Sequence, residues 1–356
     1  YLIPVLPLYL HHLGKNSAAI GLIIGSFSFT AILLRPQVGR LSDFVTKRSL
    51  MLWGTIIFIL VPPLYLCTKS TLLLTFIRLF HGAGLALFAA ASAALVPDIV
   101  PATRLGEATG VYVTSVSIAS GLAPLLGNYM VLHTSYATQL LLPCIFSVLA
   151  ALLVFKIKES PPLDNKSPIS LWQAGQNVHV IVPSLTFATC TFSLGTITAF
   201  LPLFLKEHGI DNSGIFFIFY SMTLISMRFL AGRLSDRWKR TLIIIPSLFL
   251  LAVGLGMLAL TSSIYQLALS AVLFGMGYAL VYPNLNAWVV EHVPAPTRGA
   301  SLGIFSASTD LGAFLGPLFM GLLVDQLGYQ QTYLLATTIP LTGLLIFWFT
   351  LGQVDK

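Results

Sequence analysis

Arg35-Pro-Gln-Val-Gly39-Arg40-Leu41-Ser42-Asp43 and Arg228-Phe-Leu-Ala-Gly232-Arg233-Leu234-Ser235-Asp236 decide how this chain is read. Both place an arginine four residues before a glycine, and both continue Arg-Leu-Ser-Asp, at an offset of 193 residues. The same offset of 193 carries Gly82 and Gly84 onto Gly275 and Gly277, Asp98 onto Glu291, Pro101 onto Pro294 and Pro124 onto Pro317. At an offset of 195, Leu6-Pro7-Leu8-Tyr9-Leu10 and Gly14 match Leu201-Pro202-Leu203-Phe204-Leu205 and Gly209. One register over nearly the whole chain marks an internal duplication.

The residues around the duplicated stretch are overwhelmingly apolar. Of 356 residues, 56% are hydrophobic and 9% charged, and the mean hydropathy is +0.88. Soluble proteins are about one quarter charged. This composition excludes a soluble enzyme, a disordered chain and a nucleic-acid module. The apolar runs are long and do not alternate, which excludes an outer-membrane barrel. What remains is an all-α polytopic membrane protein.

Runs of about 20 apolar residues fall at 18–39, 49–67, 71–96, 105–131, 136–156, 178–206, 213–233, 241–261, 264–290, 299–325 and 331–351. Residues 1–13 make a further, partial span. They match only the second half of the seventh span, so the first helix is expected to begin upstream of Tyr1. The polar stretch 158–177, with Pro161, Pro162 and Pro168, reads as a linker between halves 1–157 and 178–356.

Charge orients the spans. Thirteen basic residues fall in loops on one side: Arg40, Lys47, Arg48, Arg104, Lys156, Lys158, Lys166, Arg233, Arg237, Lys239, Arg240, Arg298 and Lys356. Only Lys15, Lys69 and Lys206 fall on the other. The positive-inside rule places the first set, the linker and the C-terminus in the cytoplasm. The net charge of +7 is therefore read as loop charge rather than a nucleic-acid surface. Cys67, Cys144 and Cys190 all lie in apolar runs, which argues against disulfides and metal sites. No phosphate loop, metal-spaced cluster or nucleophile with a base is present, so the chain is not read as an enzyme and no cofactor is expected.

Two six-span halves in parallel repeat, joined by a cytoplasmic linker, resemble the major facilitator superfamily. The loop Gly39-Arg40-Leu41-Ser42-Asp43, followed by Lys47 and Arg48, is similar to the signature of that family, and Gly232 to Arg240 repeats it. Phe44 and Thr46 depart from the usual basic residue and glycine. The resemblance implies a cytoplasmic latch of Gly39, Arg40, Asp43, Arg48, Asp98 and Arg104, with Gly232, Arg233, Asp236, Arg240, Glu291 and Arg298 in the second half. Ordinary interfacial charges orienting the helices are the plainer reading of these residues. Gly121-Leu-Ala-Pro124-Leu-Leu-Gly127 resembles the glycine–proline pattern of the family's antiporters, with Ala123 where a glycine is usual. Gly316-Pro317 repeats it better. Such small residues also serve helix packing.

Three intramembrane groups stand out. Arg78 lies about 10 Å inside span four, where a guanidinium needs a partner or water. Its repeat counterpart is Ala271, so this charge belongs to one half. The family resemblance links Arg78 to proton coupling; snorkelling is the alternative. His81 lies one turn away, as a relay or as packing. Asp310, counterpart of Ser117, sits about 16 Å into span eleven, where acids commonly serve proton relays. A structural hydrogen bond is its plainer role. Candidate cavity residues are Ser117, Thr189, Ser193, Thr196, Tyr278, Tyr282 and Asn284. Hydroxyls in helices are, however, often satisfied by their own backbone.

The expected function is export of a small molecule by proton antiport, with rocker-switch alternating access driven by a proton gradient. Uptake by a symporter or facilitator is the alternative, and a non-transporting receptor or scaffold a remote one. The expected partners are the substrate and the lipid bilayer, with no nucleic acid. The expected state is a monomer in a bacterial cytoplasmic membrane.

Overall fold

The computed structural model describes residues 2–41, 44–101, 104–157, 175–210, 212–294 and 297–352. Among them run twelve helices: α1 (Leu2–His12), α2 (Ser17–Leu41), α3 (Lys47–Leu64), α4 (Thr71–Ile99), α5 (Leu105–His133), α6 (Tyr136–Phe155), α7 (Val178–Glu207), α8 (Gly214–Arg237), α9 (Arg240–Ala259), α10 (Ile264–His292), α11 (Arg298–Leu327) and α12 (Tyr329–Thr350). Ten of these are long and apolar enough to cross a membrane. The other two are α1, with 11 residues, and α8, whose described apolar stretch is Gly214–Met227. Helix is the form that satisfies backbone polar groups within a single apolar segment.

Polar residues at the boundaries start the helices. The side chains of Thr46, Ser135, Asn177 and Ser263 accept from backbone N–H groups in the first turns of α3, α6, α7 and α10. Gly14 and Gly209 end α1 and α7 with φ of 73° and 72°. At both turns the N–H just past the glycine returns to the carbonyl of the same register, Lys15 to Leu10 and Ile210 to Leu205. The duplication seen in sequence is thus repeated in backbone geometry.

Within each half, α4 packs on α2 and α3, and α10 packs on α8 and α9. Helix α7 is the most enclosed, lying against α1, α10, α11 and α12. The halves meet along two main seams, α2 with α11 and α5 with α8. The loops after the even-numbered helices carry the basic residues, and their side of the molecule is called the basic face below.

Both seams close at the end away from the basic face. Gly21 and Gly25 of α2 lie against the backbone of Pro317 and Phe314 in α11, and Gly321 against Ser17. At the end of α5, Asn128 Nδ2 donates to Asn212 Oδ1 (3.0 Å), and Ser213 Oγ donates to Asn128 Oδ1 (3.0 Å). At about 100° per residue, Gly299 and Gly303 continue the stripe of α11 formed by Gly321, Pro317, Phe314, Asp310 and Ser306. A Cβ at either glycine would meet nothing. Gly110 continues the seam face of α5 and is equally open. The halves therefore touch far from the basic face and part towards it.

Candidate functional site

A buried acid lies on the seam between α2 and α11. Asp310 is 4% exposed, at the middle of α11. Arg35 Nε of α2 lies 2.7 Å from Asp310 Oδ2, and Arg35 Nη1 donates to Ser306 Oγ at 3.2 Å. One ion pair thus spans the two halves near the level where the seam begins to open. An acid at this depth needs such a partner.

Arg78 faces α2 at another level. It is 8% exposed, donates through Nε and Nη2 to the Ile23 and Ile24 carbonyls (both 3.3 Å), and lies over the Phe27 ring at 4.4 Å. The structure does not bring it to Asp310. Their α2 partners, residues 24 and 35, are about 17 Å apart along the helix. His81 Nδ1 and the Tyr65 hydroxyl are 3.0 Å apart, and the His81 ring is edge-on to Phe27 and Phe58. The Tyr9 hydroxyl donates to the Tyr65 carbonyl at 3.1 Å, extending the network to α1.

The ends of α4 and α10 at the basic face form matching pairs. Asp98 binds Lys47 (2.5 Å), and Glu291 binds Arg240 through both oxygens, with Arg240 Nε at 2.7 Å. Lys47 and Arg240 are repeat counterparts, as are Asp98 and Glu291. Arg48 lies over the Phe155 ring at 4.7 Å. Arg104 and Arg298 are exposed at the starts of α5 and α11. Asp43 lies outside the described residues, as do the side chains of Arg40, Arg233, Asp236 and Ser117 and the surroundings of Gly39, Gly121 and Gly232.

The small residues pack helices. Gly316 and Gly312 meet α7 around Phe192 and Ala188, while buried Pro317 meets Gly21 of α2. Helix α11 is held between α7 and α2 by these contacts. Pro124 and Gly127 of α5 are buried beside the Asn128 contact. In α7, Thr189, Ser193 and Thr196 each donate to a carbonyl of their own helix, Thr186, Thr189 and Ser193 respectively. Asn284 is buried and engaged as well. It donates to the Leu280 carbonyl and accepts from Arg240.

Tyr278 and Tyr282 join an aromatic group. Tyr282 packs on Phe187 of α7 (5.1 Å between centroids) and Phe305 of α11 (5.7 Å), and Tyr278 packs on Phe187 and Phe274. Among the described residues no group of three His, Cys, Asp or Glu is placed to hold a metal.

Arg35 is read in sequence only as part of the repeated stretch, and Asn128, Asn212, Phe187 and Phe305 are not singled out there. Arg35 had a usable signal, a basic residue inside an apolar span. The two phenylalanines had none, because an aromatic residue in such a span is ordinary.

Comparison with known proteins agrees with the architecture. The chain matches the Major Facilitator Superfamily over residues 1–260 and 212–356. It is 25% identical to the staphylopine export protein of Staphylococcus aureus over 349 residues, covering 93% of this chain and 86% of the relative. It is 25% identical to the multi-drug resistance efflux pump PmrA of Streptococcus pneumoniae, with the same coverage of 93% and 86%. Among solved structures, a mutant of the nucleoside transporter NupG superposes with a TM-score of 0.84 at 14% identity, covering 98% of this chain and 95% of the other. A bacterial homolog of the lysosomal transporter Spinster, in an inward-facing and unoccupied conformation, gives 0.77 at 15% identity, covering 98% and 92%. The two repeated halves, their seams and these matches lead to one conclusion: the chain belongs to the Major Facilitator Superfamily of membrane transporters.

Proposed function

We propose that this transporter exports a small molecule in exchange for protons, by rocking its halves about the space between them. The observation that carries the reading is the Arg35–Asp310 pair, which joins α2 to α11 across the moving seam. A proton on Asp310 removes one charge of the pair and weakens the link between the halves. Conformation and protonation are thereby coupled through one contact.

The basic face is the cytoplasmic side by the positive-inside rule, so the arrangement described is open inward. In the proposed cycle Asp310 has lost its proton to the cytoplasm in this state, Arg35 holds the carboxylate, and substrate enters. After the halves rock, a proton from outside neutralises Asp310, releases Arg35 and favours departure of the substrate. The names of the two exporters above favour the outward direction.

The test uses proteoliposomes and a panel of drugs, sugars and metabolite acids. An imposed pH gradient is expected to drive flux of at least one compound against its own gradient, towards the side away from the basic face. Asp310→Asn is expected to abolish pH-driven accumulation while keeping passive exchange. Unchanged pH-driven flux in Asp310→Asn would remove Asp310 from coupling, and flux only in the other direction would make the protein an importer.

A further inference from the structure

Three arginines lie a turn or more inside the apolar spans, Arg35, Arg78 and Arg228, but a single acid does, Asp310. Every other acidic residue falls between spans or within a turn of a span end. Arg35 takes the acid, and Arg78 takes two backbone carbonyls and the face of Phe27. That leaves Arg228 without an acid of its own at its depth. On its own helix the nearest is Asp236, about 12 Å along the axis. On α5, across the seam, it is Glu107, about 15 Å from the position of Ser117.

The repeat sets the place of Arg228. Gly21 of α2 lies against Pro317 of α11. Its counterpart Gly214 of α8 lies against Leu125 of α5, beside Pro124, the counterpart of Pro317. The α5–α8 seam is therefore packed in the register of the α2–α11 seam. Arg35 and Arg228 each follow that glycine by fourteen residues, which returns to within about 40° of the same helix face. In the first seam this position meets Asp310. In the second, the counterpart of Asp310 is the neutral Ser117. The side chains of Arg228 and Ser117 lie outside the described residues, and their positions follow from the two helix backbones. At this level the seam has begun to open. Ile118 and Val111, on the same face of α5 as Leu125, are 44% and 67% exposed, and a Cβ at Gly110 would meet nothing. One seam thus has a cation with its carboxylate, and the other has the cation's position without one, at the edge of the space between the halves.

We propose that Arg228 binds the acidic group of the substrate, and that the substrates are organic oxyanions, carboxylates or phosphates. The oxyanion fills the place at Arg228 that Asp310 fills at Arg35. A guanidinium fork grips either group with two parallel bonds, and a cation at this depth is costly until it is compensated. This deepens the export reading and rests on it for the presence of a small molecule between the halves.

The test follows the melting temperature of the full chain in detergent, at constant ionic strength, as ligands are titrated. The probes are citrate, benzoate and glycerol phosphate, with benzamide and glycerol as neutral counterparts. At least one oxyanion is expected to bind, about tenfold or more tighter than its neutral counterpart. Citrate and benzoate against glycerol phosphate tell a carboxylate site from a phosphate site. Arg228→Gln is expected to weaken binding about tenfold or more, and Arg228→Lys, which keeps the charge and loses the fork, to fall between. Lys69→Gln, exposed far from the basic face, is expected to leave binding unchanged. Ser117→Asp supplies the missing carboxylate. It is expected to keep the unliganded melting temperature level or higher and to abolish binding, which decides the matter even where Arg228→Gln folds poorly. The proposal is overturned if no oxyanion binds the wild type, or if the neutral counterparts bind as tightly. It is also overturned by equal binding in wild type and Arg228→Gln, by a similar loss in Lys69→Gln, or by undiminished binding in Ser117→Asp. Failure of the export reading has a different signature: Arg228-dependent binding of an oxyanion that no pH gradient moves.

Discussion

Arg78, His81 and Tyr65 stand where the second half has Ala271, Phe274 and Leu258. The surrounding contacts are equivalent, for His81 meets Phe27 in one half and Phe274 meets its counterpart Tyr220 in the other. One helix-packing frame has been filled twice, once with a guanidinium, an imidazole and a phenol, and once with rings and aliphatic chains. In the first half the polar groups consume backbone carbonyls of α2 and each other's hydrogen-bonding capacity. In the second half, the described contacts at these positions are between rings, as of Phe274 with Tyr220. The difference teaches that duplication preserved where helices touch and left free what the contact is made of.

Moving the charge into the wrong half is the severest way to break this comparison. Ala271 is fully buried, and Ala271→Arg would bury a cation where the second half has rings and aliphatic chains. A buried uncompensated charge costs about 3–5 kcal/mol, so loss of the monodisperse protein on size-exclusion in detergent is expected. The reverse change, Arg78→Leu, is expected to keep the fold and lower its melting temperature by several degrees, while lowering pH-driven flux about tenfold or more, as for loss of a charge-assisted contact. A thermal melt and a flux assay on one preparation check both parts.

The seam gives a smaller effect. Asn128→Ala removes two hydrogen bonds at the closed end, each worth about 1 kcal/mol. It is expected to raise labelling of Leu125→Cys, which faces Gly214 across the same seam, by a membrane-impermeant reagent several-fold. The smallest effect belongs to the paired ends of α4 and α10. Glu291 and Asp98 are each about half exposed, so Arg240→Lys and Lys47→Arg are each expected to change stability by less than about 1 kcal/mol. The first should lower the melting temperature and the second leave it level or slightly higher, since only arginine grips a carboxylate with two parallel bonds.

Much of this arrangement could be read from residues alone. The register set by the two Arg-Leu-Ser-Asp stretches makes Lys47 the counterpart of Arg240 and Asp98 that of Glu291, so either ion pair implies the other, but the pairing itself is not stated by the register. Apolar run length placed the helices to within a few residues. The partner of Asp310 could not be read in the same way. Arg35 lies in the other half, and no periodicity along one helix states which helix of the other half will face it. The fate of the α7 hydroxyls was equally hidden. Whether Thr189, Ser193 and Thr196 turn to their own helix or away from it depends on rotamer, which spacing does not encode.

The Arg35–Asp310 pair has a consequence for the membrane voltage. While paired, the two side chains sum to zero, and tilting the halves moves no net charge from this site through the electric field. Neutralising Asp310 leaves the arginine's charge alone on α2. A unit charge crossing the whole field exchanges about 2.3 kcal/mol with every 100 mV. Even a partial excursion of Arg35 would then make the rocking step electrically driven, so in the proposed cycle the contact assigned to proton coupling would also decide when the transporter senses voltage.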